Sequence, residues 1–407
     1  MTKKIELLAP VGNLGKLNTA LHFGADAVYL GGKEFGLRAF THNFTQDEME
    51  RAIKLVHSQG KKVYVTVNIF AKNSDFGRLY EYLEKLYALK VDGVIVSDIG
   101  LVSFIRKHFP NLDVHISTQA NTTNKYSAAF YASLGVKRIV LARELCLDEI
   151  KEIKDFVGDS LELEVFIHGA MCISYSGRCL LSNYLSSRDS NRGECVQACR
   201  WEYSISEVGR QDKPLTLQQD TAGSYILNSK DMNTISILDK IIETGVSSLK
   251  IEGRVKSEYY VGCVVSAYRK RIDDYFAGRS FDTKLIDELN KVSHREYTTG
   301  FYLGKEAEVN LETSKQHNDY VFCAQVIDYD SKLGCIIVEQ RNRFYEGDEL
   351  EVVSNQRVDK LVASEIYDQQ GNRVNDCKLV QQILYIKSDI KLDKYDMLRK
   401  KRGNNAK

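Results

Sequence analysis

The chain has 407 residues, a formal charge of +1 and 43% hydrophobic residues, enough for one large domain with a small one beside it. That balance excludes a global positive field for nucleic acid, so any RNA contact has to come from local patches. No apolar run approaches the ~20 residues that span a bilayer, and the start Met1–Glu6 lacks a secretory apolar stretch. The cysteine count of nine is odd, which speaks against a disulfide framework. The expectation is a soluble cytoplasmic protein without membrane association.

In chain order, an apolar run Ile5–Leu8 ends at Pro10-Val11-Gly12, and Leu14, Leu17 and Leu21 follow at helical spacing up to Gly24. Ala27–Leu30 is a second strand. Thr45 and Glu48 form a capping box ahead of a helix whose apolar stripe is Met49, Ile53 and Val56. Lys62–Asn68 is a third strand, with Leu79, Leu83 and Leu86 marking the helix after it. Val94–Val96, Val114–Ser117, Arg138–Ala142, Leu161–Ile167 and Ser248–Ile251 complete eight short apolar strands alternating with helices. This pattern predicts a parallel α/β fold with right-handed crossovers. Eight units favour a (β/α)8 TIM-barrel-like domain over an open doubly wound sheet. In a barrel, the polar residues just past each strand gather on one face, here Asn68, Asp98, Gln119, Asn121, Arg143, His168, Glu252 and Arg254.

The stretch after the seventh strand is rich in Gly, Ser, Asn, Asp and Arg and holds Cys172, Cys179, Cys195 and Cys199 without regular periodicity. A disulfide is disfavoured by the compartment. Structural zinc, an iron-sulfur cluster and plain packing cysteines all remain open on spacing alone. Cys146, Cys263, Cys323, Cys335 and Cys377 lie within apolar patterns and read as packing residues.

The expected domain map is a catalytic barrel over 1–285, with the cysteine loop at 168–200 and an insertion at 201–233. In the insertion, Trp201–Ile205 and Tyr225–Asp231 read as strands. Lys230 and Asp231 there are candidate substrate-binding residues, with Asn68, Gln119 and Asn121. A helix over Ser257–Phe276 and a connecting segment 286–318 follow. Short alternating runs over 319–400 predict a small all-β barrel domain, and a basic tail occupies 401–407. Arg341, Arg343 and Arg399–Arg402 supply local positive charge for RNA contact, or an ordinary solvated surface.

Three blocks carry a family resemblance. Glu164 to Ser182 reads E-x-F-x-x-G-A-M-C-x4-G-x-C-x-L-S, Leu249–Lys256 reads LKIEGRVK, and His294–Phe301 reads HREYTTGF. With the Glu6–Gly12 start, these resemble the U32 family along essentially the whole chain. The family was first labelled peptidases and collagenases, and its better-understood members resemble oxygen-independent hydroxylation factors with a [4Fe-4S] cluster. The resemblance implies a (β/α)8 barrel and makes Cys172, Cys179, Cys195 and Cys199 the cluster ligands. It is strongest to the tRNA-hydroxylating members, implying 5-hydroxyuridine formation at the wobble uridine of tRNA with prephenate as hydroxyl donor. On this reading His168, Arg143, Arg254 and Glu252 form the catalytic set. Two arginines suit a dicarboxylate, because a guanidinium grips carboxylates bidentately; the bland alternative is rim ion pairs with Glu144 or Glu252. Some U32 proteins act as heteromeric pairs, so a second U32-family protein is a candidate partner beside tRNA. Other members act on ribosomal RNA or ubiquinone precursors. The peptidase alternative finds neither an H-E-x-x-H nor a G-x-S-x-G motif in the sequence, leaving only a Cys172/His168 pair to test.

Overall fold

The computed structural model describes residues 5–36, 43–201, 229–304, 316–355 and 360–403. Its larger unit begins with β1 (Glu6–Pro10), α1 (Leu14–His22), β2 (Ala27–Gly31), α2 (Gln46–Ser58), β3 (Lys62–Thr66), α3 (Phe76–Ala88), β4 (Gly93–Val96) and α4 (Ile99–His108). It continues with β5 (Val114–Ile116), α5 (Lys125–Ser133), β6 (Arg138–Val140), α6 (Leu147–Val157) and β7 (Glu162–Ala170). Next come α7 (Leu181–Ser186), β8 (Asp231–Asn233), α8 (Leu238–Glu243), β9 (Ser248–Ile251), α9 (Glu258–Phe276), α10 (Lys284–Asn290) and β10 (Tyr297–Thr298). Strands β1 to β7 pair in parallel in sequence order, and β9 pairs in parallel with both β7 and β1. The sheet therefore closes into the expected barrel, and the doubly wound alternative is excluded.

Local chemistry explains the element boundaries. Thr45 and Glu48 make the predicted reciprocal cap on α2, with Thr45 N donating to Glu48 Oε2 at 2.8 Å and Glu48 N to Thr45 Oγ1 at 3.2 Å. Asp98, expected on the reactive face, instead caps α4 by accepting from Leu101 N at 2.9 Å. The insertion also differs from expectation: β8 covers Asp231–Asn233 and runs antiparallel to β7, with His168 opposite Asn233. Strand β10 adds to it in parallel. Of the strand expected at Trp201–Ile205, Trp201 lies in a bend and the rest falls outside the described residues, as do residues 202–228.

The barrel interior holds charge. Glu164 (0% exposed) accepts from Lys250 Nζ at 2.8 Å and from Arg138 Nη1 at 3.0 Å, and Arg138 also pairs with Glu162 at 2.7 Å and with Glu6. Buried carboxylates and cations of this kind persist only when paired. Interleaved with these charges, Leu8, Ala27, Tyr29, Tyr64 and Ile95 pack as a small apolar cluster, with Lys250 over the Tyr29 ring and Arg138 over the Tyr64 ring.

The second unit is all-β: β11 (Tyr320–Asp330), β12 (Cys335–Gln340), β13 (Phe344–Tyr345), β14 (Glu349–Val353), β15 (Lys360–Val362), β16 (Ile366–Tyr367), β17 (Asp376–Cys377), β18 (Ile383–Lys387) and β19 (Met397–Lys401). Seven of these strands form an antiparallel sheet in the order β15-β14-β19-β11-β12-β18-β16, and β13 pairs with β17. The sheet has its own core around Val338, Phe344, Leu384 and Ile386. It docks on the barrel through α9, where Tyr259 stacks on Phe322 with ring centres 5.6 Å apart.

That docking corrects the expected basic patches. Arg399 is buried between the two units, bonded to Glu288 at 2.6 Å and Glu351 at 3.0 Å, because its strand position, opposite to that of Leu398 in the β-unit core, faces the barrel. Arg341 pairs with Glu258 and Glu339, Arg343 with Asp376, and Lys400 with Asp348. These four side chains are thus held by carboxylate neighbours, whereas Lys401 and Arg402 of the expected patch stand exposed. Among the described residues no helix is long and apolar enough to cross a membrane.

Candidate active site

Parallel strands deliver their following residues to one end of a barrel, and there a cavity of about 220 Å³ opens. Its floor includes Tyr29, Ile95, Phe166 and Lys250; its walls include Thr66, Asn68, Gln119, Arg143, Glu252 and Arg254. The roof is the loop after β7, and Cys172, Cys179, Cys195 and Cys199 all line the cavity.

Several bonds hold that loop over the mouth. Asn121 is in the left-handed region (φ 53°), donates to Ser176 O at 2.9 Å and accepts from Arg178 Nε at 2.8 Å. Arg192 reaches Phe70 O at 2.9 Å and Asp75 at 3.1 Å. Arg200 binds Met171 O at 2.7 Å and Ser229 O at 2.5 Å. All four cysteines are free thiols at least partly open to solvent. Burial pushes the Cys199 thiol up, Arg200 pulls it down, and the charges of Cys172, Cys195 and Cys179 push it up again; the four groups thus sense one another. Among the described residues, no group of three or more His, Cys, Asp or Glu is drawn together tightly enough to hold a metal ion. The donor chemistry nevertheless suits iron and sulfide: four thiols on an irregular loop facing one space, with a backbone N–H, Gln197 N, already on Cys195 Sγ at 3.4 Å.

Cations line the same cavity. Arg143 lies over the Phe166 ring at 4.2 Å and donates to Ala170 O at 2.6 Å. Arg254 donates to Thr66 Oγ1 at 3.2 Å and Asn43 Oδ1 at 3.0 Å. Tyr29 donates to Glu252 Oε2 at 3.4 Å. Asn68 Nδ2 and Ser117 Oγ both donate to Gln119 Oε1, at 2.6 and 2.9 Å, which orients the amide. The Gln119 Nε2 donor is buried and has no hydrogen-bond partner among the described residues.

Five of the sequence-selected residues therefore share the cavity with the cysteines: Asn68, Gln119, Arg143, Glu252 and Arg254. His168 does not. A register shift between Phe166 and His168 breaks the strand alternation that would have turned both side chains inward. His168 is 1% exposed, among the rings of Tyr260, Tyr268 and Tyr297. Burial, followed by the charges of His294 and Lys256, lowers its pKa to about 3. It is a neutral packing residue outside the cavity, so Cys172 has no His168 base beside it. Asn121 is an anchor for the loop, Lys230 pairs with Glu296 at 3.3 Å, and Asp231 receives Arg295 N at 3.1 Å; none of the three lines the cavity.

Lys250 is the charged cavity residue that sequence reasoning passed over, beside uncharged ones such as Tyr29, Thr66 and Ser117. Its signal was a lysine in the middle of an apolar strand, two residues before Glu252, which puts both on the interior face. Gly169 is a further structural requirement. At φ +113° its added Cβ would lie 2.5 Å from Glu252 O, so Gly169→Ala is expected to destabilise the fold by about 1–3 kcal/mol and to displace Glu252. Thermal denaturation of the variant checks this.

A closed (β/α)8 barrel with a polar cavity and a four-thiol loop at its C-terminal mouth defines the class: a barrel protein with an enzyme-like site where that fold carries its chemistry. The family model described as Peptidase family U32 matches residues 12–312, and that for the Peptidase family U32 C-terminal domain matches 318–399. The chain belongs to the U32 family. It is 41% identical over 407 residues to the tRNA hydroxylation protein P1 of Bacillus subtilis (strain 168), covering 98% of this chain and 96% of that protein. It is 35% identical to the 23S rRNA 5-hydroxycytidine C2501 synthase of Escherichia coli (strain K12), over 75% of this chain but 46% of that protein. With the Collagenase of Porphyromonas gingivalis (strain ATCC BAA-308 / W83) it shares 30% identity over 85% of each chain.

Proposed function

We propose that this protein is an oxygen-independent tRNA hydroxylase. It forms 5-hydroxyuridine at the wobble uridine, with a [4Fe-4S] cluster on Cys172, Cys179, Cys195 and Cys199 and prephenate as the hydroxyl donor. The observation that carries this reading is the meeting of four thiols with Arg143, Lys250 and Arg254 in one cavity. When bound, the cluster supplies redox-active, Lewis-acidic iron. Arg143 and Arg254 would grip the carboxylates of prephenate, Phe166 and Tyr29 would bracket an unsaturated ring, and the buried Gln119 Nε2 is a donor for a base carbonyl. The near end-to-end likeness to a tRNA hydroxylation protein favours tRNA over ribosomal RNA, whose synthase aligns over 46% of its length. A peptidase is disfavoured because Cys172 lines the cavity and His168 does not. A reducing cytoplasm would keep the thiols available for iron.

Nucleoside mass spectrometry on tRNA and ribosomal RNA, prepared separately from cells with and without the gene, tests the proposal. The expected result is loss of 5-hydroxyuridine derivatives from tRNA alone. Loss of a ribosomal hydroxylation instead would replace the substrate and retain the chemistry. In a second test, Arg254→Ala should keep its iron and sulfide while tRNA hydroxylation falls about tenfold or more. Unchanged modification in cells carrying that variant would remove Arg254 from the donor site.

A further inference from the structure

The loop that roofs the cavity carries an unusual outer surface. Tyr175, Leu180, Tyr184, Leu185 and Trp201 are 46%, 50%, 83%, 48% and 43% exposed, and the exposed Arg178 and Arg188 stand among them in sequence. Helix α7, which bears Tyr184 and Leu185, packs on the turn Ala198–Arg200 that leads to Trp201. Val196 N donates to Ser182 Oγ at 3.2 Å, tying the same two segments together. The two segments that bear Tyr184, Leu185 and Trp201 are thus held together at the rim of the roof, and Tyr175 of the same loop lines the cavity wall. A solvated surface would carry Lys, Glu and Ser; Tyr, Trp and Arg together are the composition of binding surfaces.

We infer that this rim is a stacking platform for the unpaired nucleotides flanking the target base of an RNA loop. A base that undergoes chemistry has to leave its stack and enter the pocket, so its neighbours lose a stacking partner at the mouth. Exposed aromatic rings supply a replacement face for any base, and arginines beside them meet the phosphates. The docking site is thereby placed on the cysteine loop, whose exposed aromatic rings the all-β unit's Arg341, Arg343 and Arg399, each paired with carboxylates, do not match. This inference rests on the RNA-hydroxylase reading for the identity of the partner.

The test uses the full-length protein, purified anaerobically, and fluorescence anisotropy with two labelled probes: an unmodified anticodon stem–loop transcript, and a blunt RNA duplex of the same composition. The wild type is expected to bind the stem–loop more tightly than the duplex. Tyr184→Ala should weaken stem–loop binding by about 5- to 100-fold, Tyr184→Phe should restore it, and Tyr87→Ala, an exposed ring at the C-terminal end of α3 and so at the opposite end of the barrel, should leave it unchanged. Stem–loop binding unaffected by Tyr184→Ala and by Trp201→Ala would overturn the platform, as would equal binding of duplex and stem–loop. A wild type that binds neither RNA but sediments as a complex with a second U32 protein would reassign the rim to a protein partner. Nucleoside analysis separates the two readings: rim-dependent binding with no hydroxylation in cells strikes the enzyme proposal alone, whereas hydroxylation that survives loss of the rim strikes the platform alone.

Discussion

Cys179→Ser is expected to give a folded protein that retains almost no iron or sulfide after anaerobic purification and no hydroxylation activity. The fold should survive because Cys179 belongs to neither the barrel core nor the β-unit core. Its loop stays pinned through Asn121, Arg192 and Arg200, none of which bonds to the thiol. The cofactor should not survive, because a serine hydroxyl is not deprotonated at neutral pH and a thiolate is the ligand iron-sulfur clusters use. Iron and sulfide assays beside far-UV circular dichroism make the measurement. Full iron content in the variant would strike Cys179 from the ligand set, and a collapsed spectrum would show that the loop contributes to folding.

Glu164→Ala should be the most damaging single change to stability, at about 3–5 kcal/mol. Glu164 is fully buried and serves both Lys250 and Arg138, so its removal leaves two buried cations without their shared carboxylate. The same network predicts the acid limit of the fold. Burial alone would raise the Glu164 pKa, but the charges of Lys250 and Arg138 outweigh it and hold the carboxyl below its ordinary value. Glu162 is lowered in the same way, burial being outweighed by Arg138. A depressed folded-state pKa contributes stability that is fully present above the unfolded value of about 4.3 and is lost as pH falls through the folded one. The wild type should therefore hold its stability down to the ordinary glutamate range and lose it below. In Glu164→Ala the drop below that range should be shallower, from a lower plateau. Urea unfolding at a series of pH values measures both the plateau and the slope, and a variant with wild-type stability at neutral pH would show that Lys250 and Arg138 find other partners.

Lys250 joins this network to the cavity. It sits 2.8 Å from Glu164 and over the Tyr29 ring at 4.5 Å while lining the cavity floor. The groups that stabilise the barrel and the groups that face a substrate are thus layers of one interior, which is why changes at Glu164 are expected to reach the site as well as the fold.

Period and punctuation alone determined much of this protein. Eight apolar runs, six of them ending in polar residues, marked the barrel strands, the Thr45/Glu48 pair marked a helix start, and the clustering of four cysteines in an aperiodic stretch marked the roof. Those signals are local, since a strand's alternation or a helix cap is written within a few residues. Tertiary structure decided which of the strand-end polar residues stay out of the cavity and which basic residues are buried. One register shift on β7 turned His168 out of it, and docking of the β-unit buried Arg399, which by sequence belonged to a basic patch, whereas the parity that turns Lys250 inward with Glu252 was already local. The first two outcomes depend on pairing between residues far apart in the chain, where a single-residue change in register reverses a side chain's direction and a carboxylate from another element neutralises a charge.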